Sequence, residues 1–431
     1  MNLNDSISAL GIRNSIDVLN HGWEEAQECF PGGALPFLSE RFIESSCRYL
    51  NVPSEILQQV LKCARSIAGN KYLTGLAWYF HYSLFKRDDY PQKNVNMWPS
   101  IAALSESMRE DAGLFYFLIF LSGLEKLVEY MNNVGERRSI PSQIIHDTIF
   151  ETVRYFPTYF KETGGFPPGS LRFRVYVNFG GEYFVIGRLA YHLNAFKGKL
   201  RAFRHRKNKC VVAISEDGVR YLSNGQRDGP GRLLRDGGTW VSTLTETDDA
   251  IEGHPILPTG EAVPEQVRLT KSEWFQVLAP GDTVLEIHIP GGGGMTHELC
   301  GKSLKAALDF FPRYFPDRSF SGLSCISWIL DAELQELLSS TSNMVLFQKE
   351  FHLFPALSDD KCLLVKAFGQ EFKDISNLPR ETKLQRALYE KLAVGSYPSS
   401  KAGGGFLLTE DFHWGAQVYL NRTPDFLDVS V

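Results

Sequence analysis

The chain of 431 residues is expected to be an α+β protein with α/β character: an all-helical N-terminal domain over residues 1–164, then a mixed-sheet domain over 165–431. Three observations lead there. Apolar residues recur at helical spacing up to about residue 163, a breaker cluster ETGGFPPGS spans 162–170, and strands alternate with helices from about residue 280 onward.

In the first part, Ile56, Val60, Leu61 and Ala64 of PSEILQQVLKCARSIAG share one helix face, and Leu124, Leu127, Val128 and Met131 repeat the pattern before Gly135. The longest uncharged stretch, 112–124 (AGLFYFLIFLSGL), is bracketed by Asp111 and Glu125. It falls well short of the ~20 apolar residues a bilayer crossing needs, so it reads as a buried helix and no membrane span is expected. Past residue 170, LRFRVYVNF, YFVIGRLAYHL, KCVVAISEDGVRYL and TWVSTL are short, β-branched and aromatic, and read as strands with Asp217-Gly218 at a turn. From residue 280 the order is strand TVLEIHI, a glycine run, an amphipathic helix, strand FSGLSCISW, a second helix and strand KCLLVKAF. The tail after Gly405 reads as one more strand on the same sheet.

Composition narrows the function classes. At 43% hydrophobic and 22% charged the chain can bury a large core, and 45 basic against 50 acidic side chains leave a net charge of −5. No overall basic field exists to hold a polyanion, so nucleic acid is not an expected partner. The one basic cluster, RAFRHRKNK at 201–209, fits a solvated hairpin turn or a contact to an anionic ligand. Seven cysteines form no CxxC pair, and MNLNDSISAL carries neither a basic nor an apolar leader region, so reduced thiols and a cytoplasmic location are expected. Thirty phenylalanines suit either a large aromatic core or a wall around a long apolar ligand.

The densest signal is TVLEIHIPGGGGMTHELCGKSLKAALDFF, residues 283–311. A strand ends at Pro290, Gly291, Gly292, Gly293 and Gly294 follow, and Thr296 can cap a helix that puts Cys300, Leu304, Leu308 and Phe311 on one face. Unhindered backbone N–H groups at a helix N-terminus favour an anion, usually a phosphate, and Lys302 can add charge. A P-loop would end in Gly301-Lys302-Ser303, but Thr296 stands where its first glycine belongs. A dinucleotide GxGxxG fails at the same residue, because Gly291 and Gly293 are followed by Thr296.

A third template fits this order better. Strand VLEIHIP, loop GGGGMT, helix HELCGKSLKAALDFF, strand SGLSCISW, helix LDAELQELL and then SNMVLFQKEF resemble the GNAT superfamily of acyl-CoA N-acyltransferases, of the bacterial type with a helical N-terminal domain. The resemblance implies coenzyme A or acyl-CoA as co-substrate, with 291–296 as the pyrophosphate loop and 284–289 and 322–328 as splayed strands around the pantetheine arm. The CoA-binding residues it implies are Ile287, Ile289, Gly291, Gly292, Gly293, Gly294, Met295, Thr296, Lys302, Asn343 and Phe347. Two departures stand out: the Gln or Arg that usually opens the loop is replaced by Pro290, and the Tyr that commonly protonates the leaving thiolate is Phe347.

Amide formation from a thioester needs a deprotonated amine, hence a nearby base. Glu286 and His288, at i and i+2 of one strand just ahead of the loop, answer that need and are the expected catalytic residues, unless they only satisfy each other structurally. His192 and Arg188 of GRLAYHL lie on an early strand of the same domain, and His254 lies in a Pro/Gly loop. Ser342, Ser327 and Cys325 are candidate proton donors, and Cys325 as an acylated nucleophile ranks below direct transfer because no basic neighbour activates it. The expected activity is therefore transfer of an acyl group, longer than acetyl given the phenylalanines and the 112–124 helix, to a primary amine of a small molecule or peptide. Two alternatives stay open: a non-catalytic CoA-binding module, and a metal-dependent enzyme on Glu286, His288 and His297, although no metal is expected.

Overall fold

The computed structural model describes residues 1–431 except 155, 157, 158, 161–163, 181, 233–236, 292, 293, 370–373, 423 and 425–431, with the side chains of 92 and 177–180 also left aside. The chain divides into two compact units: Met1–Val185 with Pro290–Gly292, and Ile186–Ile289 with Gly293–Val431.

The first unit is helical. Its core is built on the helices Ser54–Ala68, Lys71–Phe85 and Phe115–Ser122. Every residue from Phe115 through Leu121 is buried, as an uncharged helix with no polar face requires. Much of the aromatic content is spent here: Phe80 stacks on Trp98 with centroids 4.0 Å apart, and Phe117, Phe156 and Phe166 pack edge to face. No described helix is long and apolar enough to cross a membrane.

The segment LRFRVYVNF, expected as a strand, lies in the helix Pro168–Gly180. Proline suits a helix's first turn, and burial of Leu171, Arg174 and Val175 at spacings of three and four shows the period that aromatic and β-branched composition concealed. Arg174 is held there by a buried ion pair with Glu151.

β1 (Tyr183–Ile186) turns at Gly187 into β2 (Leu189–Ala195), the first strand wholly within the second unit. An all-β insertion follows: β3 (Leu200–His205), β4 (Val211–Ser215), β5 (Arg220–Leu222), β6 (Thr239–Val241), β7 (Leu244–Glu246), β8 (Ala250–Gly253), β9 (Pro255–Ile256), β10 (Val267–Thr270) and β11 (Trp274–Leu278). Phe203, Val212, Ile214, Ile251 and Trp274 form its core. The basic cluster 201–209 is the β3–β4 hairpin, and Arg204 turns inward to a two-pronged pair with Asp411, both bonds 2.8 Å.

The chain then enters β12 (Thr283–His288), β13 (Gly322–Asp331), β14 (His352–Pro355) and β15 (Ala402–Leu408). Among the described residues the main sheet runs β1-β2-β12-β13-β15-β14. The tail strand thus inserts beside β13. KCLLVKAF, expected as a further strand, is the helix Cys362–Phe368, whose Leu363, Leu364, Ala367 and Phe368 pack on Leu384 and Leu388 at helical spacing.

The helix His297–Tyr314 follows the glycine loop and buries Cys300, Leu304, Ala307 and Phe311. Ser303 fixes it to the sheet: its hydroxyl meets the Tyr191 hydroxyl at 2.8 Å, accepts from the Leu189 amide at 3.1 Å and donates to the Ile186 carbonyl. Gly301 is where the Trp414 indole lies against the helix, and a Cβ there would come within 2.3 Å of the ring. The substitution Ser303→Ala strips three buried groups of a partner and is expected to lower stability by about 2–3 kcal/mol in denaturant unfolding. A loss below about 0.5 kcal/mol would contradict this anchoring role.

Candidate functional site

β2 and β12 pair antiparallel from Thr283↔Ala195 to His288↔Ala190, so Glu286 stands directly opposite His192 and their side chains share a face. Asn194, two residues along, donates through Nδ2 to Glu286 Oε2 at 2.5 Å, and Lys197 Nζ reaches the same oxygen at 2.8 Å. His192 Nε2 lies 3.8 Å from that oxygen. Its Nδ1 is 3.0 Å from His288 Nε2, with the rings stacked 5.0 Å apart at 18°. A hydrogen bond between two imidazole nitrogens needs one donor and one acceptor, so the pair keeps it only while at least one ring is neutral.

The electrostatics follow from this line of groups. Burial pushes the Glu286 carboxyl up, but the Lys197 hydrogen bond and charge, aided by both imidazoles, outweigh it and hold the group below its ordinary value. Burial foremost, then Lys197, lowers His192 against the opposing pull of Glu286. Cys325 is driven the other way: burial and the Glu286 charge push its thiol up to about 12, so it is no ready nucleophile.

β12 pairs in parallel with β13 at only two positions, Leu285↔Leu323 and Glu286↔Ser324. The β13–β15 ladder also breaks after Ile326 and resumes at Asp331. Ile287 is buried, Ile289 half-buried, and Ile326 is 48% exposed where the strands part.

Beyond β12, Pro290 is buried, Gly291 and Met295 are half-buried and Gly294 is exposed, while Gly292 and Gly293 lie outside the described residues. Thr296 is the helix cap, its Oγ1 accepting from the Leu299 amide at 3.2 Å. Arg188, on the β1–β2 turn, donates through Nε to the Gly294 carbonyl at 3.1 Å, which brings a guanidinium to the loop. Lys302 points to solvent and pairs with Glu298 at 2.6 Å across one helical turn.

His297, at the first helical position, is held apart from the Glu286 group by its own support. Its Nε2 bonds Glu350 Oε1 at 2.9 Å, Glu350 Oε2 accepts from the Gly415 amide at 3.0 Å, and the ring stacks on Trp414 at 4.7 Å. Trp414 Nε1 donates to the His297 carbonyl at 2.9 Å. Phe347 is buried between Phe351 and Trp414, at 5.0 and 5.9 Å. Asn343 is exposed, opening the helix Asn343–Gln348 that Ser342 caps. Ser327 Oγ accepts from the Ile329 amide, and His254 lies buried in the insertion beside Trp240. Among the described residues no three His, Cys, Asp or Glu side chains converge to hold a metal ion.

Sequence reasoning placed Glu286 and His288 together but missed Lys197, Asn194, Glu350 and Trp414. The alternation His192-x-Asn194 on an apolar strand was the available signal, matching Glu286-x-His288 on β12.

Residues 183–406 match the family model described as the GNAT-like C-terminal domain. No curated protein matches the chain. Among solved structures, the chain is similar to an acyltransferase in complex with decanoyl-CoA, at 18% identity and TM-score 0.58, over 95% of this chain and 99% of that one. It is likewise similar to an acyltransferase in complex with decanoyl-CoA and teicoplanin (18%, TM-score 0.57) and to one with CoA and 10C-teicoplanin (17%, TM-score 0.57), with the same coverage. These likenesses establish a common fold.

The Lys197→Met substitution is expected to move both neighbours upward in a pH titration followed by NMR. Glu286 loses the cation that favours its ionised form, and His192 loses a cation that disfavours its protonated form. Unmoved titrations would show that Lys197 does not set the charge state of this group.

Proposed function

The chain belongs to the family of proteins that carry a GNAT-like C-terminal domain, and from that premise we propose that it is an acyl-CoA-dependent N-acyltransferase. It moves a medium or long acyl chain from coenzyme A to a primary amine of a small molecule or peptide by direct transfer. The observation that carries this reading is the Lys197, Glu286, His192 and His288 line on the strands that run into the glycine loop.

The residues present fit coenzyme A. Backbone amides of Gly294, Met295 and the capped first turn, with the Arg188 guanidinium, suit a diphosphate, and the opening between β12 and β13 suits an extended pantetheine arm. An ammonium has no lone pair, so the acceptor must first give up a proton. His288 is the group to take it, with His192 and the ionised Glu286 stabilising the imidazolium that forms. The amine nitrogen then bonds the thioester carbonyl carbon, and β13 backbone amides beyond Ser324 stabilise the oxyanion. Collapse breaks the C–S bond, and CoA leaves as the thiolate, which takes up the second proton given up by the amide nitrogen, since Phe347 offers none.

Solved structures of the same fold are complexes with decanoyl-CoA, one of them with teicoplanin as well, which supports a medium-length donor for this chain. A cytoplasmic location is part of this reading, in keeping with seven cysteines that form no CxxC pair in the sequence.

Phe347, lacking the hydroxyl of the usual proton donor, favours a second reading as a non-catalytic CoA-binding module. Two substitutions separate them. In an enzyme, Glu286→Gln and His288→Ala should lower kcat about 100-fold or more while CoA affinity stays within about threefold. A chain with no measurable acyl transfer to any amine, and unaltered CoA binding in both variants, would be the module.

A further inference from the structure

The all-β insertion carries a cavity of about 630 Å³ that the acyl-transfer chemistry does not use, walled by Arg201 of β3, Arg220 of β5, Gln276 of β11 and the connecting residues beside them. Its lining falls wholly within the second unit. A space of that size suits a small organic molecule rather than a lone ion.

Arg227 lines this cavity from a rigid position. The Leu222 amide donates to the Gln226 carbonyl at 2.8 Å and the Asp228 amide to the Arg220 carbonyl at 3.0 Å, so 226–228 runs antiparallel to β5 with Arg227 opposite Tyr221. Trp240 of β6 stands opposite Tyr221 on its other side, the two rings stacked 4.8 Å apart, and the Tyr221 hydroxyl meets Ser215 at 2.8 Å. Residues opposite one another share a face, so Arg227 ends a row that begins at Trp240 and passes through a buried tyrosine. Its Nε is buried and has no hydrogen-bond partner among the described residues. Burial holds the guanidinium below its usual proton affinity, and the Tyr221 hydroxyl is the one group pulling the other way. A cation withdrawn from water without a carboxylate is costly to keep, which points to a partner from outside the chain.

The other charges of the lining show what that partner is. Arg201 is paired with Glu216 at 2.8 Å and with Glu246 at 3.3 Å, and Arg220 with Asp228 at 3.8 Å. Among the described residues Lys199, like Arg227, has no acidic partner, and Asp217 has no basic one; Asp217 accepts through Oδ1 from the Leu244 amide at 3.2 Å. Two unpaired cations against one unpaired carboxylate leave one net positive charge at the cavity. We propose that it binds a small polar monocarboxylate, whose carboxylate accepts from the Arg227 guanidinium and pairs with Lys199. The planar guanidinium matches a carboxylate in shape, and Asp217 favours a hydrogen-bond donor, such as a hydroxyl, elsewhere on the ligand. The acidic side chains of the same lining disfavour a phosphate dianion. This site does not rest on the acyl-CoA reading, and each can fail without the other.

The test is an NMR titration of the full chain with lactate and with inorganic phosphate, ionic strength held constant with chloride, followed at the Arg227 Nε–H and at the backbone amide of Gly218, which also lines the cavity. Lactate should shift both signals saturably, and phosphate should bind at least about tenfold more weakly. Lys199→Gln should weaken lactate about threefold, the scale of an exposed ion pair. Arg227→Gln, read at Gly218, should weaken it about tenfold or more, the scale of a hydrogen bond to a charged group. No saturable shift with lactate, an equal response to phosphate, or unaltered affinity in the variants would overturn the proposal. Should Arg227→Gln not fold, Lys199→Gln, a change at an exposed loop residue, decides the matter by itself.

Discussion

The parallel ladder between β12 and β13 closes at two residue pairs and then stops, and the rest of the site depends on that. Past Glu286 and Ser324 the strands lose their mutual backbone bonds, β12 ends in a glycine loop, and β13 continues with its ladder to β15 interrupted from Ile326 to Asp331. Strand edges inside a sheet leave N–H and C=O groups without a ladder partner, and such an edge is a template for an extended, amide-bearing ligand. The line of charged groups around Glu286 sits where the opening begins.

Around that opening the second unit uses long-range contacts to fix short stretches of chain. Ser303 binds the helix to β1 and β2, Trp414 from the tail packs against Gly301, and Asp411 from the same tail holds Arg204 of the insertion. The tail strand β15 lies between β13 and β14, so residues near the end of the chain complete the wall beside the site. On β2 and β12 one carboxylate, Glu286, serves three partners, Asn194, Lys197 and His192. The Lys197 hydrogen bond and charge, aided by both imidazoles, hold Glu286 below its ordinary value despite its burial.

The strand, glycine loop and helix were legible because their signals are local. Thr296 caps, the apolar residues of 300–311 recur at helical spacing, and Glu286 and His288 alternate with apolar neighbours on β12. What was not legible depends on contacts between distant segments. LRFRVYVNF has strand composition, yet burial of Leu171, Arg174 and Val175 against other helices decides for helix, and KCLLVKAF is decided by its packing on Leu384 and Leu388. The partnership of His192 with Glu286 is set by an antiparallel register between segments about ninety residues apart, which no local pattern encodes. Lys302, expected from its place on the first turns of the helix to add charge at the loop, pairs with Glu298 at the surface, a partner that helical spacing supplies.

The most direct test of this account is the thermal unfolding midpoint of the purified protein against CoA, acetyl-CoA, decanoyl-CoA, NAD and ATP at equal concentration. A ligand that binds only the native state raises the midpoint by mass action, so an acyl-CoA site predicts a rise with CoA that grows with acyl chain length and little response to NAD or ATP. A midpoint that responds to NAD or ATP alone, or to none of the five, would contradict it.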